Sequence, residues 1–275
     1  MQLLMSGGGF LRTWSTGGNL ATARYKLGGA GTLAAGLSFG GETAGVETES
    51  NVTEEYNGTS WSGGGNLGTA IFANAGTGTQ TAAWSAGGTQ DGVNGVGQTE
   101  EYDGATWSAG GGLLASRFAM AAAGTQTAGL AFGGYSAGEQ STTYEYDGTT
   151  CTTGGALSSA RYRLGGAGTQ SAGLSFGGTP ATTITEEYDG ASWSSGGNLV
   201  TGRYGLAGCG TQSAGLNFAA DPNSKVTEEY GGTNWSVASS LLTSLKYPGG
   251  AGDQSAAICF GGFSASMLTE TEEYT

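Results

Sequence analysis

The stretch from Thr185 to Leu199, TEEYDGASWSSGGNL, returns in register along the whole chain and limits the possible fold more than any other feature. Its Tyr recurs at Tyr56, Tyr102, Tyr146, Tyr188, Tyr230 and Tyr274. Five residues after each of the first five stands a large or sulfur-bearing side chain: Trp61, Trp107, Cys151, Trp193 and Trp235. Tyr274 has no such partner downstream, and the N-terminus supplies an unmatched one, Trp14. A period of 42 to 47 residues makes the 275-residue chain an array of six units instead of one or two ordinary domains. In an aperiodic chain 57 glycines would suggest disorder, but here they recur in phase with aromatic and aliphatic residues, which predicts order.

Each unit reads as four short segments, a to d. Segment a is ARYKLGGAG from Ala23 and its counterparts, b is GLSFGG from Gly36, c is the Glu-Glu-Tyr run, and d carries the Trp. Their alternation has period two, Gly, Asp and Asn bound them, and no helical period is sustained, so the chain is expected to be all-β. Gly-Thr-Gln between a and b, and Asp-Gly between c and d, fit hairpin turns. Segment a is thin and c and d are bulky, as wedge-shaped sheets converging on an axis require. The order of segments is one d, five complete units, then a-b-c. The expectation is therefore a six-bladed β-propeller with four antiparallel strands per blade. Its ring is closed by the N-terminal d strand of Trp14 against the C-terminal c strand, Glu270 to Tyr274. The whole of 1–275 forms this one domain, with 1–10 as a lead-in.

A net charge of −13 disfavours nucleic acid, which needs clustered Lys and Arg. Histidine is absent, which excludes every mechanism and metal site built on imidazole. The odd set Cys151, Cys209 and Cys259 falls at different repeat positions and reads as free, mostly buried thiols. There is no apolar run long enough for a membrane helix, and MQLLM lacks the features of a secretory signal. A soluble, unprocessed chain in a virion or the cytoplasm, without cofactor or metal, is the expectation.

The Gly-Gly pairs that end segment b (Gly40-Gly41, Gly87-Gly88, Gly133-Gly134, Gly177-Gly178 and Gly261-Gly262), followed by the spaced Tyr and Trp, resemble the kelch repeat over residues 11–275. That resemblance implies a propeller with four-stranded blades and leaves function open, since kelch propellers include scaffolds, partner-binding modules and enzymes. The Gly-Thr-Gln-rich style is also similar to kelch-like proteins of tailed bacteriophages and environmental viral sequences. The chain departs from the pattern at Ala219-Ala220 for Gly-Gly, Cys151 for Trp, and Trp84 and Ala86 where sister repeats have Leu or Ile and Phe. The last exchange roughly conserves volume.

The a-b and c-d turns vary little, whereas the b-c connections range from about 7 to 12 residues. The b-c and d-a loops leave the sheets on one face, so binding is expected there, around the channel mouth. Arg24, Arg117, Arg161, Arg203 and Lys246 stand at the start of segment a and are read as a cation ring. Two readings are open: an anion or acidic-sugar site, or structural bonds from each cation to a carboxylate or carbonyl between blades. The Glu pairs supply partners, with one Glu of each on either sheet face and the second expected to be solvated. Blade 2 is the least regular, so a ligand site is expected over blades 1 to 3, with Arg24, Asn74, Asp91, Asn94, Arg117 and Tyr135 as candidates. Asp91, Glu139 and Asp221 lack the dense spacing of a calcium loop.

These features favour a non-catalytic structural or recognition propeller, expected on a phage particle, that binds a glycan, a protein or other virion proteins. A sialidase-like glycan-processing enzyme and an intracellular protein-interaction scaffold are the alternatives. Asp103-Gly104-Ala105-Thr106-Trp107 is similar to the Asp-box of sialidases but one residue short, and a hairpin accounts for it. The histidine ligands of a galactose-oxidase-like copper site have no counterpart.

Overall fold

A computed structural model describes residues 12–44 and 48–275, so the lead-in 1–10 lies outside the described residues. Blade 1 is built from Gly28–Thr32, Ala35–Phe39, Thr53–Tyr56 and Trp61–Gly63, hydrogen-bonded in that order as strands a to d. The pattern repeats through six four-stranded antiparallel sheets. In blade 6, Gly249–Asp253, Ala256–Phe260 and Thr271–Tyr274 are completed by Trp14–Thr16. The closing register is Trp14 opposite Tyr274 and Thr16 opposite Glu272. The chain is thus the expected six-bladed β-propeller, and the ring is closed by its own two ends.

Glycine explains how six sheets meet at the axis. A Cβ added at Gly29 would lie 2.6 Å from the carbonyl oxygen of Gly250 on the neighbouring inner strand. At Gly29 only a residue without Cβ allows that approach, and Gly76, Gly166, Gly208 and Gly250 hold the same position, with Ala122 of blade 3 the exception. Farther out, Leu37 and Phe39, with their counterparts, are fully buried against the Tyr and Trp of the next blade. Each such side chain contributes about 1.5–3 kcal/mol of burial.

Polar clamps between blades repeat with the same period. Trp107 donates through Nε1 to Thr53 Oγ1 at 2.9 Å, as do Trp14, Trp61, Trp193 and Trp235 to the matching Thr of the preceding blade. Gln80, Gln126, Gln170, Gln212 and Gln254 each donate to two carbonyls of the preceding blade. The second Glu of each pair, expected to be solvated, instead accepts a bond from the next blade's tyrosine. Tyr102 donates to Glu55, Tyr146 to Glu101, Tyr188 to Glu145, Tyr230 to Glu187, Tyr274 to Glu229 and Tyr56 to Glu273. The solvated reading fails because strand c of one blade lies against strand c of the next, and the buried phenol needs an acceptor.

Two departures from the repeat are one event. Phe39 contacts Trp107 across the interface between blades 1 and 2, with ring centroids 4.8 Å apart. Between blades 2 and 3 those positions hold Ala86 and Cys151, and Trp84 fills the space by stacking flat on Tyr146 at 4.8 Å and 4°. All three cysteines are free and buried, and burial raises the Cys151 thiol to about 11.

Candidate functional site

The segment before each inner strand does not continue as strand. Strand a was expected from Ala23 but starts at Gly28, because Lys26 takes a left-handed conformation (φ 53°) that ends extended pairing. The same turn occurs at Ala73, Ala119, Arg163, Gly205 and Tyr247. It aims each amide at the preceding blade: Lys26 N bonds Tyr247 O, Ala73 N bonds Lys26 O, Ala119 N bonds Ala73 O. Arg163 N to Ala119 O, Gly205 N to Arg163 O and Tyr247 N to Gly205 O complete a closed circlet of six backbone hydrogen bonds around the axis. The circlet lies on the face of the b-c loops, because each member immediately precedes an inner strand that runs toward the opposite end.

All six circlet residues line a cavity of about 130 Å3 at the axial mouth. Below them come Leu27, Asn74, Met120, Leu164, Leu206 and Pro248, and at the side Phe72, Phe118 and Gly92. The residue before each circlet member is aromatic in five blades (Tyr25, Phe72, Phe118, Tyr162 and Tyr204) and bridges to the start of its own b-c loop, as Tyr25 does to Glu42 and Tyr204 to Asp221. The mouth therefore has an aromatic rim on a backbone frame.

The cation ring takes a different form from the expected one. The carbonyls of Arg24, Ile71, Arg117, Arg161, Arg203 and Leu245 each accept an amide of the preceding blade, so Leu245 holds the sixth equivalent position. Lys246 stands one place later, beside the circlet. The four arginines are buried and bonded within their own blades. Arg24 Nη1 donates to Gly40 O at 2.7 Å and Val52 O at 2.8 Å, and Nη2 to Ser38 Oγ and Glu54 Oε1 at 2.9 Å. Arg161 repeats this with Glu186 at 2.7 Å, and Arg203 pairs with Glu228. Blade 3 has Tyr144 in place of that Glu, and Arg117 lies over its ring at 4.7 Å. Burial pulls these guanidinium pKa values down, and Glu54, Glu186 and Glu228 oppose the shift for their partners. In these four blades the guanidinium bonds carbonyls at the ends of the b-c connection.

The six candidates over blades 1 to 3 do not converge on one point. Arg24 and Arg117 are interior, as above. Asp91 is tied to its own turn, accepting from Val93 N and Asn94 N through Oδ1 and from Asn94 Nδ2 through Oδ2, which holds its carboxyl below the usual range. Tyr135 packs at a tilt against Phe118 and Tyr162 at the rim, with ring centroids 5.5 and 5.1 Å away. Asn74 lines the cavity, donates to Ser85 and has a buried Oδ1 without a partner.

The cations that line the mouth are Lys26 and Arg163, and Lys246 stands beside them at the rim position. Lys26 pairs with Glu42 at 2.9 Å and lies over Tyr25 and Phe72. Lys246 pairs with Asp221 at 3.2 Å, and Tyr247 donates to the same carboxylate at 2.8 Å. Arg163 lies over Tyr162 and Tyr247, 5.1 and 5.4 Å from their centroids, and makes no ion pair or side-chain hydrogen bond among the described residues. Sequence reading passed over it because Lys, Ala, Arg, Gly and Tyr share the circlet position without a common chemistry. The signal available was its fixed place two residues after the arginine position in each repeat.

Among the described residues no group of three or more Cys, Asp and Glu forms a metal site, and no helix is long and apolar enough to cross a membrane. No family model matches the chain, and a search of curated proteins finds no match.

Proposed function

We propose that this propeller is a non-catalytic recognition module that holds a glycan or protein segment over its axial mouth. The observation that carries this reading is the cavity itself: about 130 Å3, framed by the circlet and rimmed with aromatic side chains, on the face where the loops diverge. Concave, largely apolar sites with a few fixed polar groups are the usual form of ligand pockets. A non-catalytic role is supported by the nearby carboxylates, since Glu42 is held by Lys26 and Asp221 by Lys246 and Tyr247. Within this reading the chain is a kelch-like propeller of a phage virion, a setting suggested by the style of its repeats.

The test is ligand binding with the mouth filled. Tyr247 occupies a circlet position at φ 54°, so Ala119→Tyr, at the same φ, introduces a bulky side chain without a new backbone conformation. Glycan-array or pulldown ligands of the native chain are expected to be lost in Ala119→Tyr while its thermal midpoint stays within a few degrees. Ligands retained in full would overturn the reading.

A further inference from the structure

Resting on that reading, we propose that the mouth takes a single pyranose ring bearing one carboxylate, with Arg163 as its anchor. The chain carries nine Lys and Arg against a net charge of −13. Four of the nine, Arg24, Arg117, Arg161 and Arg203, are consumed inside the blades. Lys26 and Arg163 line the mouth and Lys246 stands beside it, and Glu42 and Asp221 pair with the two lysines. Of these three, Arg163 alone has no carboxylate partner among the described residues, while Asp91, beside the lining Gly92, is held by its own turn. A ligand with one negative charge matches Arg163, whereas a run of acidic residues would meet Glu42 and Asp221 at the rim.

The shape argues for a ring. The circlet frames the mouth, and Leu27, Met120, Leu164, Leu206 and Pro248 line the cavity with it, a space of about 130 Å3 that suits a single ring. Phe72, Phe118 and Tyr247 supply flat apolar faces that suit the C–H face of a sugar. Gly205 makes this possible, because a Cβ there would lie 2.4 Å from Tyr247 Cε1, within the space the ring now occupies. Tyr247, fixed by its bond to Asp221, thereby flanks the guanidinium of Arg163. A guanidinium held near two rings without a hydrogen-bond partner among the described residues has its N–H groups available to a carboxylate, which arginine binds in bidentate fashion.

Calorimetric titration of the full chain with galacturonate and glucuronate, against galactose and glucose, tests the proposal. Uronates are expected to bind, with the neutral sugars weaker by about ten- to a hundredfold, the usual weight of a charge-assisted hydrogen bond. Arg163→Ala should lose the same factor for uronates and nothing for neutral sugars. Its fold is protected by precedent, since Ala73 and Ala119 hold the same conformation (φ 53° and 54°). Arg163→Lys should restore part of the affinity. Equal binding of neutral and acidic sugars, unchanged binding by Arg163→Ala, or no uronate binding would each overturn it. A ligand blocked by Ala119→Tyr but indifferent to Arg163→Ala would leave the recognition reading standing while refuting the acidic sugar. An empty array for the native chain would defeat both.

Discussion

The interface between blades 2 and 3 offers a sharp test of how this ring is packed. Trp84 is fully buried, and its indole replaces both the Phe that Ala86 lacks and the Trp that Cys151 lacks. Trp84→Leu alone removes about half of a side chain whose complete truncation costs about 3–5 kcal/mol, hence about 2 kcal/mol. It also removes the stack on Tyr146, about 1 kcal/mol. Against this, Trp84 Nε1 is buried without an acceptor, and deleting it returns about 1–2 kcal/mol. The net expectation is a loss of about 1–2 kcal/mol. Cys151→Trp alone drives a second indole into filled space and costs about 1–3 kcal/mol. The triple variant Trp84→Leu, Ala86→Phe, Cys151→Trp rebuilds the arrangement seen between blades 1 and 2 and is expected within about 1 kcal/mol of the native chain. Urea denaturation of single, double and triple variants reads these values, with coupling well beyond the few tenths expected of independent sites. Additive losses would refute the claim that the departures compensate one another.

Other outcomes follow from the same geometry. Glu186→Gln strands Arg161 in the interior and should cost about 3–5 kcal/mol, whereas Glu100→Gln, whose carboxylate accepts only the amides of Gly68 and Thr69, should cost about 1–2 kcal/mol; chemical denaturation compares them. Burial, helped by the facing Glu, raises Tyr56, Tyr102, Tyr146, Tyr188 and Tyr230 to about 12. A raised folded-state value means this contribution is complete below the unfolded-state tyrosine value of about 10 and is lost as pH rises toward 12. Thermal melts should therefore fall through that window, and a Tyr188→Phe variant should fall less steeply. Trp14→Ala, at the closing strand, should cost about 3–5 kcal/mol and lower the midpoint of the whole domain in one transition, as judged by fluorescence and circular dichroism together.

Much of the fold was legible because size and count are sequence properties. Thin inner strands, bulky outer ones and an unmatched Trp14 dictate a closed ring without reference to any contact. The roles of the Glu pairs were harder to read, since their partners lie about one repeat away. A clue was present in blade 3, where Tyr144 replaces the first Glu but Glu145 is kept beside Tyr146. The residue that remains in every blade is the one that accepts the neighbour's phenol. The mouth was the least legible part. Reading Lys246 by its charge placed it with the arginines, whereas counting back from Gly249 places Leu245 there. The circlet is a property of backbone conformation, held by Lys, Ala, Arg, Gly and Tyr alike, so side-chain chemistry gives no sign of it.

Nuclear magnetic resonance of the labelled chain with an array-selected ligand locates the binding surface on the propeller. The amides of Lys26, Ala73, Ala119, Arg163, Gly205 and Tyr247 are expected to shift together on saturation. Shifts confined to the Asp-Gly turns at Asp103, Asp147 and Asp189, on the opposite end, would contradict binding at the axial mouth.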